Sequence, residues 1–539
     1  MRKYLFGFLV LLLMTGLLFG GCAPDEEVVD EPVDEEPVDE EPVDEEPVDD
    51  QNLVIAIGAE PESLDSLLMN SAPAATVSEH MVETLVYLAV DGTLEPGLAE
   101  SWEPTEDGMA WDLKMREGVT FHDGEPFNAE AVKYNLDRFM AYGDFEGETA
   151  AIYAFLLDQI NEFEVIDEYT LRLHLDQQFA PIISHLSHSF VGMHSPASLE
   201  ALGADEALEN PVGTGPFKVI NWDRGEEISM ERNEDYWGGA PELETVTFKF
   251  VPESSSRVIM LETGEAHAIM AVPPTEIDRL EADAEIDVVF ENSVRVIYMG
   301  FNMEREPFDD ARVRQALNYA VDKQAIIETI FQGVGEPSSA PVVPAVFGYE
   351  QVGPYEYDPE RAMELLEEAG YGDGFEVELF HPTGRYPQDD VVTEAVQAML
   401  AEVGVSASLT TYDWGTYLDT VIVPPEDAEH DMYMLGWGTV TLDADYGLYA
   451  LFHSTQWPPR NNVSYYANAD VDALLDEARV TPDTGVREGL YAEAIELIWD
   501  DAPWLFLHNE GQVNAVRSNV HGLIHHPLEN ILAWDAYIE

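Results

Sequence analysis

A mostly apolar run extends from Tyr4 to Phe19 behind Arg2 and Lys3, and then apolar side chains thin out abruptly. Residues 23–50 are Asp, Glu, Val and Pro apart from Ala23, with an EPVDE repeat that begins at Glu31. The first run falls short of the roughly 20 residues that cross a bilayer. Its basic start and two closing glycines have the layout of a secretory signal peptide over residues 1–21. The acidic repeat cannot bury enough surface to offset its ordering entropy. Residues 22–50 are therefore expected to form a disordered linker, extended at about 3.1 Å per residue by its prolines and like charges.

From Gln51 onward alternation and helical periodicity return. Leu53 to Ile57 reads as a strand leading into a polar loop. Three Asp-Gly pairs, Asp91-Gly92, Asp107-Gly108 and Asp123-Gly124, each lie between apolar or alternating runs, which is a hairpin signal. Between the second and third, Trp111, Leu113 and Met115 alternate with Asp112, Lys114 and Arg116, as in a half-buried strand. Helical spacing covers 129–142, 311–331, 358–369, 389–403, 470–479 and 486–500. Asp358 is placed to cap its helix, Pro359 to open it and Gly370 to end it, the usual start and stop signals. Strand-like runs cover 170–175, 217–220, 246–251, 375–380 and 405–412, followed by the apolar run Pro503 to Leu507. The order strand, helix, strand over 375–412 predicts a parallel pair joined by a crossover. A body of about 490 residues exceeds what one core supports and predicts a mixed α/β chain of two or three domains.

Composition narrows the partners. Asp and Glu number 107 against 24 Lys and Arg, while 46% of residues are hydrophobic. That is a folded chain with an acidic coat, whose field repels nucleic acid and anionic lipid. So dense a like charge fits a halophilic or haloalkaliphilic setting, where salt shortens the Debye length to about 3 Å near 1 M. Cys22 is the only cysteine, so no internal disulfide exists. The glycines before it resemble the bacterial lipobox, with Phe19 where that motif usually has Leu. The resemblance implies lipid attachment at Cys22 and a body held off the membrane by the linker.

Five stretches in register carry a family resemblance. They are AESWEPTEDGMAWDLKMREGVTFHDGEPFNAEAVKYNLDR (99–138), NPVGTGPFKV (210–219), ERNEDYWGGAPELETVTFKF (231–250), YMGFNMEREPFDDARVRQALNYAVDKQAII (298–327) and GRYPQDDVVTEAVQAMLAEVGV (384–405). Together they resemble the family 5 solute-binding proteins, the oligopeptide, dipeptide, glutathione and nickel receptors of bacterial ABC importers. Most of these residues read as fold markers: Gly213, Gly215 and Pro216 shape a tight connection, and GTGPFK lacks the spacing of a phosphate loop. The resemblance implies a two-lobed periplasmic-binding-protein-like fold, type II, in its large variant with an extra subdomain in lobe I. Lobe I would comprise 51–298 plus 509–539 and lobe II 299–508. It further implies a monomer without cofactor, anchored by lipid at the outer face of the cell membrane, towards the periplasm or exterior. Such a receptor captures a peptide-like solute between its lobes and delivers it to the transmembrane subunits of an ABC permease. A non-peptide ligand, such as a nickel complex, a sugar or another polar solute, stays open on the same scaffold.

Arg385 follows one strand and precedes a helix; its guanidinium suits a bidentate grip on a carboxylate, and a structural ion pair is the competing reading. Trp414, Tyr417 and Trp437 are candidates for aromatic cleft walls, with core packing as the alternative for each. In peptide-binding relatives an Asp three residues after the position of Trp437 receives the ligand's ammonium group. Here that position is Val440, which leaves Asp443 or Asp445 as substitutes, or a ligand with no free amine there. An extracellular hydrolase is the rival from another class. Neither HExxH nor GxSxG occurs, and the neighbours His525 and His526 point to opposite faces of an extended chain, unsuited to sharing a metal.

Overall fold

The structure is a computed structural model and describes residues 51–69, 71–142, 156–202 and 210–539. Cys22, the leader and the acidic linker lie outside the described residues. The body opens with β1 (Asn52–Ile57). A hairpin of β2 (Val86–Leu88) and β3 (Leu94–Pro96) turns at Asp91-Gly92, and β4 (Ala99–Pro104) and β5 (Ala110–Met115) turn at Asp107-Gly108. Gly92 and Gly108 take φ of 84° and 68°, the left-handed conformation that makes Asp-Gly a hairpin turn. β2 and β3 pair only with each other, while β4 and β5 join β6 (Ile160–Asp167) and β7 (Thr170–Leu175) in a separate antiparallel sheet in the order β4-β5-β7-β6. The helix Ala129–Tyr142 covers it through Val132, Leu136 and Phe139.

The main sheet uses β8 (Phe217–Asp223), β9 (Glu227–Arg232), β10 (Thr245–Phe250), β11 (Ala268–Ile269), β12 (Ile286–Phe301), β13 (Glu336–Pro337), β14 (Phe375–Pro382), β15 (Val405–Tyr412), β16 (Met432–Gly438) and β17 (Trp504–Arg517). Its order is β15-β14-β16-β12-β17-β11-β1-β10-β9-β8, with β13 beside β17. β1 runs parallel to β10 and β11, and β14 parallel to β15 and β16. The helix Asp389–Glu402 is the crossover from β14 to β15 that the pattern predicts.

β12 and β17, of 16 and 14 residues, pass through the middle of this order side by side. Their ladder shifts register between Asn292 and Val296, and β12 pairs with β16 only from Arg295 onward. Such an irregularity bends strands and re-aims the side chains it carries. It separates a β1 side, whose core holds Leu53, Ile55, Phe217 and Phe248, from a β14 side, where Tyr298 stacks on Trp504 at 3.5 Å.

The helical spacing over 311–331 gives two helices rather than one. Ala311–Ala320 ends where Val321 turns extended (φ −107°, ψ 122°), and Asp322 caps Lys323–Thr329 by accepting from the Ala325 N–H. The buried Lys323 ammonium donates back to the Asn318 carbonyl, satisfying a group that the first helix leaves open at its end. The run Pro503 to Leu507 is the start of the much longer β17, whose polar HNEGQ segment hid its length in the sequence.

Gly300 on β12 lies against Tyr433 of β16, so that a Cβ there would fall on the tyrosine ring. Gly300→Ala is expected to destabilise the body by roughly 1 to 3 kcal/mol, the cost of overpacking, read by chemical denaturation; an unchanged midpoint would show that the two strands are not held this closely.

Candidate ligand-binding site

The loop after β14 is cinched by one carboxylate. Asp389, at the start of the crossover helix, accepts from the backbone N–H of Arg385 (2.9 Å) and of Tyr386 (3.2 Å). The Tyr386 ring is buried, and its hydroxyl accepts from the Gly436 N–H at 2.8 Å. The backbone of Arg385 is thereby fixed while its half-buried guanidinium lies 4.9 Å from the Tyr386 ring and 5.1 Å from that of Trp414. It makes no ion pair among the described residues. Arg385 and Trp414, two of the candidate ligand contacts, therefore lie side by side in one patch.

Trp437 ends β16 opposite Val296 and leans on Tyr446, centroids 5.2 Å apart. Its indole N–H is buried without a hydrogen-bond partner among the described residues. Trp437, Val440 and Leu94 each pack against both the core of the separate sheet and the core beside β14, so this face is where those two bodies meet.

Tyr417 does not belong to the patch. It has no exposed surface, and its hydroxyl donates to the Met434 carbonyl at 2.6 Å; it is a post of the core. Asp443 and Asp445 are likewise spoken for. Arg487 donates to both oxygens of Asp443, at 2.8 and 2.9 Å. Asp445 is fully buried, with Arg479 Nε at 3.1 Å and His185 Nε2 at 3.4 Å. Burial pushes the Asp445 carboxyl up, but Arg479 and His185 outweigh it and hold the group below the usual carboxylate range. Both acids are thus paired with arginines, which favours, of the two alternatives left open at Val440, a ligand with no free amine there. His525 and His526 do diverge: the first lies 3.3 Å from Asn514 Nδ2 and the second 3.0 Å from the Leu88 carbonyl.

Between these elements lies a floor that sequence reasoning missed. At the register shift Arg295 binds Glu529 bidentately, Nε to Oε1 at 2.7 Å and Nη2 to Oε2 at 2.8 Å, and Ser293 Oγ donates to the same carboxylate at 2.8 Å. Glu510 on β17 sits with Oε2 3.2 Å from Arg295 Nε. That nitrogen's single hydrogen already goes to Glu529, so the Glu510 oxygen is buried without a hydrogen bond among the described residues. Burial, and then repulsion by Glu529, push the Glu510 carboxyl up to about 7, while Arg385 and Arg295 pull against the rise. Arg385 is thus close enough to the floor to be felt there. Nothing local in the sequence marks Glu510, which stands in the polar HNEGQ segment of β17.

The long paired strands, the two packed bodies and a partly unsatisfied polar floor between aromatic walls define a two-lobed solute-binding protein. A family model described as bacterial extracellular solute-binding proteins, family 5 Middle, matches residues 93–459. The glutathione-binding protein GsiB of Salmonella typhimurium is 33% identical over 475 residues, covering 88% of this chain and 91% of the relative. Among solved structures, DppA of Helicobacter pylori in complex with the peptide STSA gives a TM-score of 0.81 at 30% identity, over 90% of this chain and 98% of that one. AgaA of A. tumefaciens in complex with agropinic acid gives 0.78 at 28% identity, over 90% and 99%. The chain belongs to the bacterial extracellular solute-binding proteins of family 5, which are transport receptors and not enzymes.

The floor carries a pH dependence. Because the Glu510 carboxyl is raised to about 7 from an ordinary 4.5, it favours folding while protonated; that contribution is complete below the ordinary value and is lost as pH rises through about 7. Glu510→Gln mimics the protonated form. Its melting temperature is expected to match the wild type near about pH 5 and to exceed it near about pH 9; an offset that stays constant with pH would show that Glu510 keeps its charge.

Proposed function

We propose that the chain is a lipid-anchored receptor that captures a carboxylated, peptide-like solute between its lobes and presents it to an ABC permease. The lobes divide where β12 and β17 cross, close to the expected boundaries of 51–298 plus 509–539 and 299–508; the register shift at 292–296 supports a hinge there. The observation that carries the reading is Arg385. Its backbone is pinned, its guanidinium is flanked by Tyr386 and Trp414, and no carboxylate among the described residues pairs with it, in a chain with 107 acids. A cation held free amid such an excess of acid is suited to a ligand's carboxylate.

The loop after Trp437 narrows the ligand. With Val440 in place of an acid and both Asp443 and Asp445 neutralised by arginines, a free α-ammonium group has no carboxylate to meet on that loop. A peptide whose amine is blocked or displaced, as in a γ-linked glutathione-like peptide, fits better than an ordinary short peptide. The relatives named for glutathione and for agropinic acid support a carboxylated solute of this kind. Trp437 offers its unpaired indole N–H to an acceptor on the ligand. Binding would favour closure only by its differential affinity for the closed form.

Mass spectrometry of small molecules released from the purified, unfolded protein identifies the candidate. Arg385→Ala is then expected to weaken its binding by roughly 1.5 to 3 kcal/mol in calorimetry, the range for a hydrogen bond to a charged group. Unchanged affinity removes Arg385 from the site. For the anchor, Cys22→Ala in an expressing bacterium is expected to shift the body from membrane to soluble fraction and to abolish labelling by a fatty acid; membrane association that survives the substitution contradicts lipid attachment at Cys22.

A further inference from the structure

A cavity of about 240 Å³, with Arg385 not among its lining residues, is formed by residues of the 79–97 segment, Ser187, Tyr236, Trp237 and the stretch 526–534. Two tilted aromatic pairs form much of its wall. Tyr87 and Trp534 have centroids 5.3 Å apart at 51°, and Tyr236 and Trp237 have centroids 5.3 Å apart at 54°. Leu88, Leu528 and Leu532 add apolar surface, and the exposed Pro96 stands at the rim. Tyr87, Trp237 and Trp534 are each half-buried, so the wall is reachable.

The charge inside is one-sided. Two carboxyls line the cavity, Glu79 and Glu83, and no Lys or Arg does; burial pushes both up to about 7, so the cavity carries its full negative charge above that pH. Glu83 is occupied, accepting from Thr214 Oγ1 (2.6 Å), Tyr236 Oη (2.9 Å) and Trp237 Nε1 (2.9 Å). Glu79 accepts from Asn530 Nδ2 on Oε2 at 3.0 Å, and its Oε1 has no donor among the described residues. His526, the other ionisable lining group apart from the tyrosines, is drawn below its ordinary value by burial. Its Nδ1 accepts from the Leu528 N–H, which leaves Nε2 to donate to the Leu88 carbonyl. The nearest cation, Arg116, stacks on Trp237 at 4.2 Å with its side chain committed to the Gly97 carbonyl. One donor is left over: the Trp534 indole N–H is buried and unpartnered among the described residues.

Aromatic faces and a carboxylate oxygen attract a cation that a polar solvent would otherwise keep. A spare indole N–H asks for a neutral acceptor on the same molecule, since a second carboxylate beside Glu79 and Glu83 would be repelled. We propose that this cavity is a second binding site, for a compact organic cation: an alkylated ammonium group against Glu79, Tyr87 and Trp534, carrying a hydroxyl or carbonyl that accepts from the Trp534 N–H. This goes beyond the solute captured at Arg385 and does not depend on it.

The test is calorimetry on the purified mature protein at fixed ionic strength and at a pH above the value of about 7 to which burial raises Glu79, with choline chloride as probe and 3,3-dimethylbutan-1-ol as its uncharged isostere. Saturable binding of choline is expected, about tenfold or more weaker for the isostere and for Glu79→Gln, and unchanged in Arg385→Ala; tenfold corresponds to about 1.4 kcal/mol. No saturable choline binding, equal affinity for the isostere, or loss of choline binding in Arg385→Ala would each overturn the assignment. The isostere comparison uses wild-type protein and so stands even if Glu79→Gln fails to fold.

Discussion

The bidentate pairing of Arg295 with Glu529 at the crossing of β12 and β17 is the contact on which the rest of the site depends. It ties a strand of the central sheet to a turn near the C-terminus, 234 residues away, at the place where the strand ladder slips. Breaking one side of such a buried pair leaves an uncompensated charge and costs about 3 to 5 kcal/mol, so any movement at the crossing has to keep this pair intact. Because the Arg295 Nε hydrogen goes to Glu529, Glu510 Oε2 is left without a hydrogen-bond donor among the described residues. Buried polar groups are normally paired, and the unpaired Glu510 oxygen is an exception at the floor of the proposed site.

The chain spends its few cations sparingly and in a pattern. Arg295, Arg479 and Arg487 are buried against Glu529, Asp445 and Asp443, and these pairs shape the register shift between β12 and β17 and the loop that follows Trp437. Arg385 is instead held by its backbone and left open at the guanidinium. It makes no ion pair among the described residues, and its field reaches the buried Glu510 and Glu529 of the floor. Glu79 and Glu83, turned inward around aromatic rings, give the second cavity the opposite charge.

Local pattern revealed the local parts. The Asp-Gly turns, the capped helix at Asp358 and the β14 to β15 crossover follow from short-range chemistry, and the structure forms each of them. Arg385 was legible because a lone cation between a strand and a helix stands out in an acidic sequence. The floor was not legible, because Arg295, Glu510 and Glu529 meet only through the paired strands. For the same reason Asp443 and Asp445 looked available: their arginines come from the helices that follow, Arg487 lying 44 residues beyond Asp443. Tyr417 reads as a cleft aromatic in sequence, yet its place one turn into a packed helix points it at the sheet, where its hydroxyl is consumed by backbone carbonyls. The split at Val321 and Asp322 depends on a buried lysine, which helical spacing does not foresee.

Solution scattering tests most directly whether a solute is clamped across this crossing. The purified protein would be measured after unfolding and refolding to strip small molecules, and again after the stripped material is returned. Closure about the β12 and β17 crossing predicts a smaller radius of gyration with the material restored, and the same contraction absent in Arg385→Ala. An identical radius in both states of the wild type would contradict the clamp.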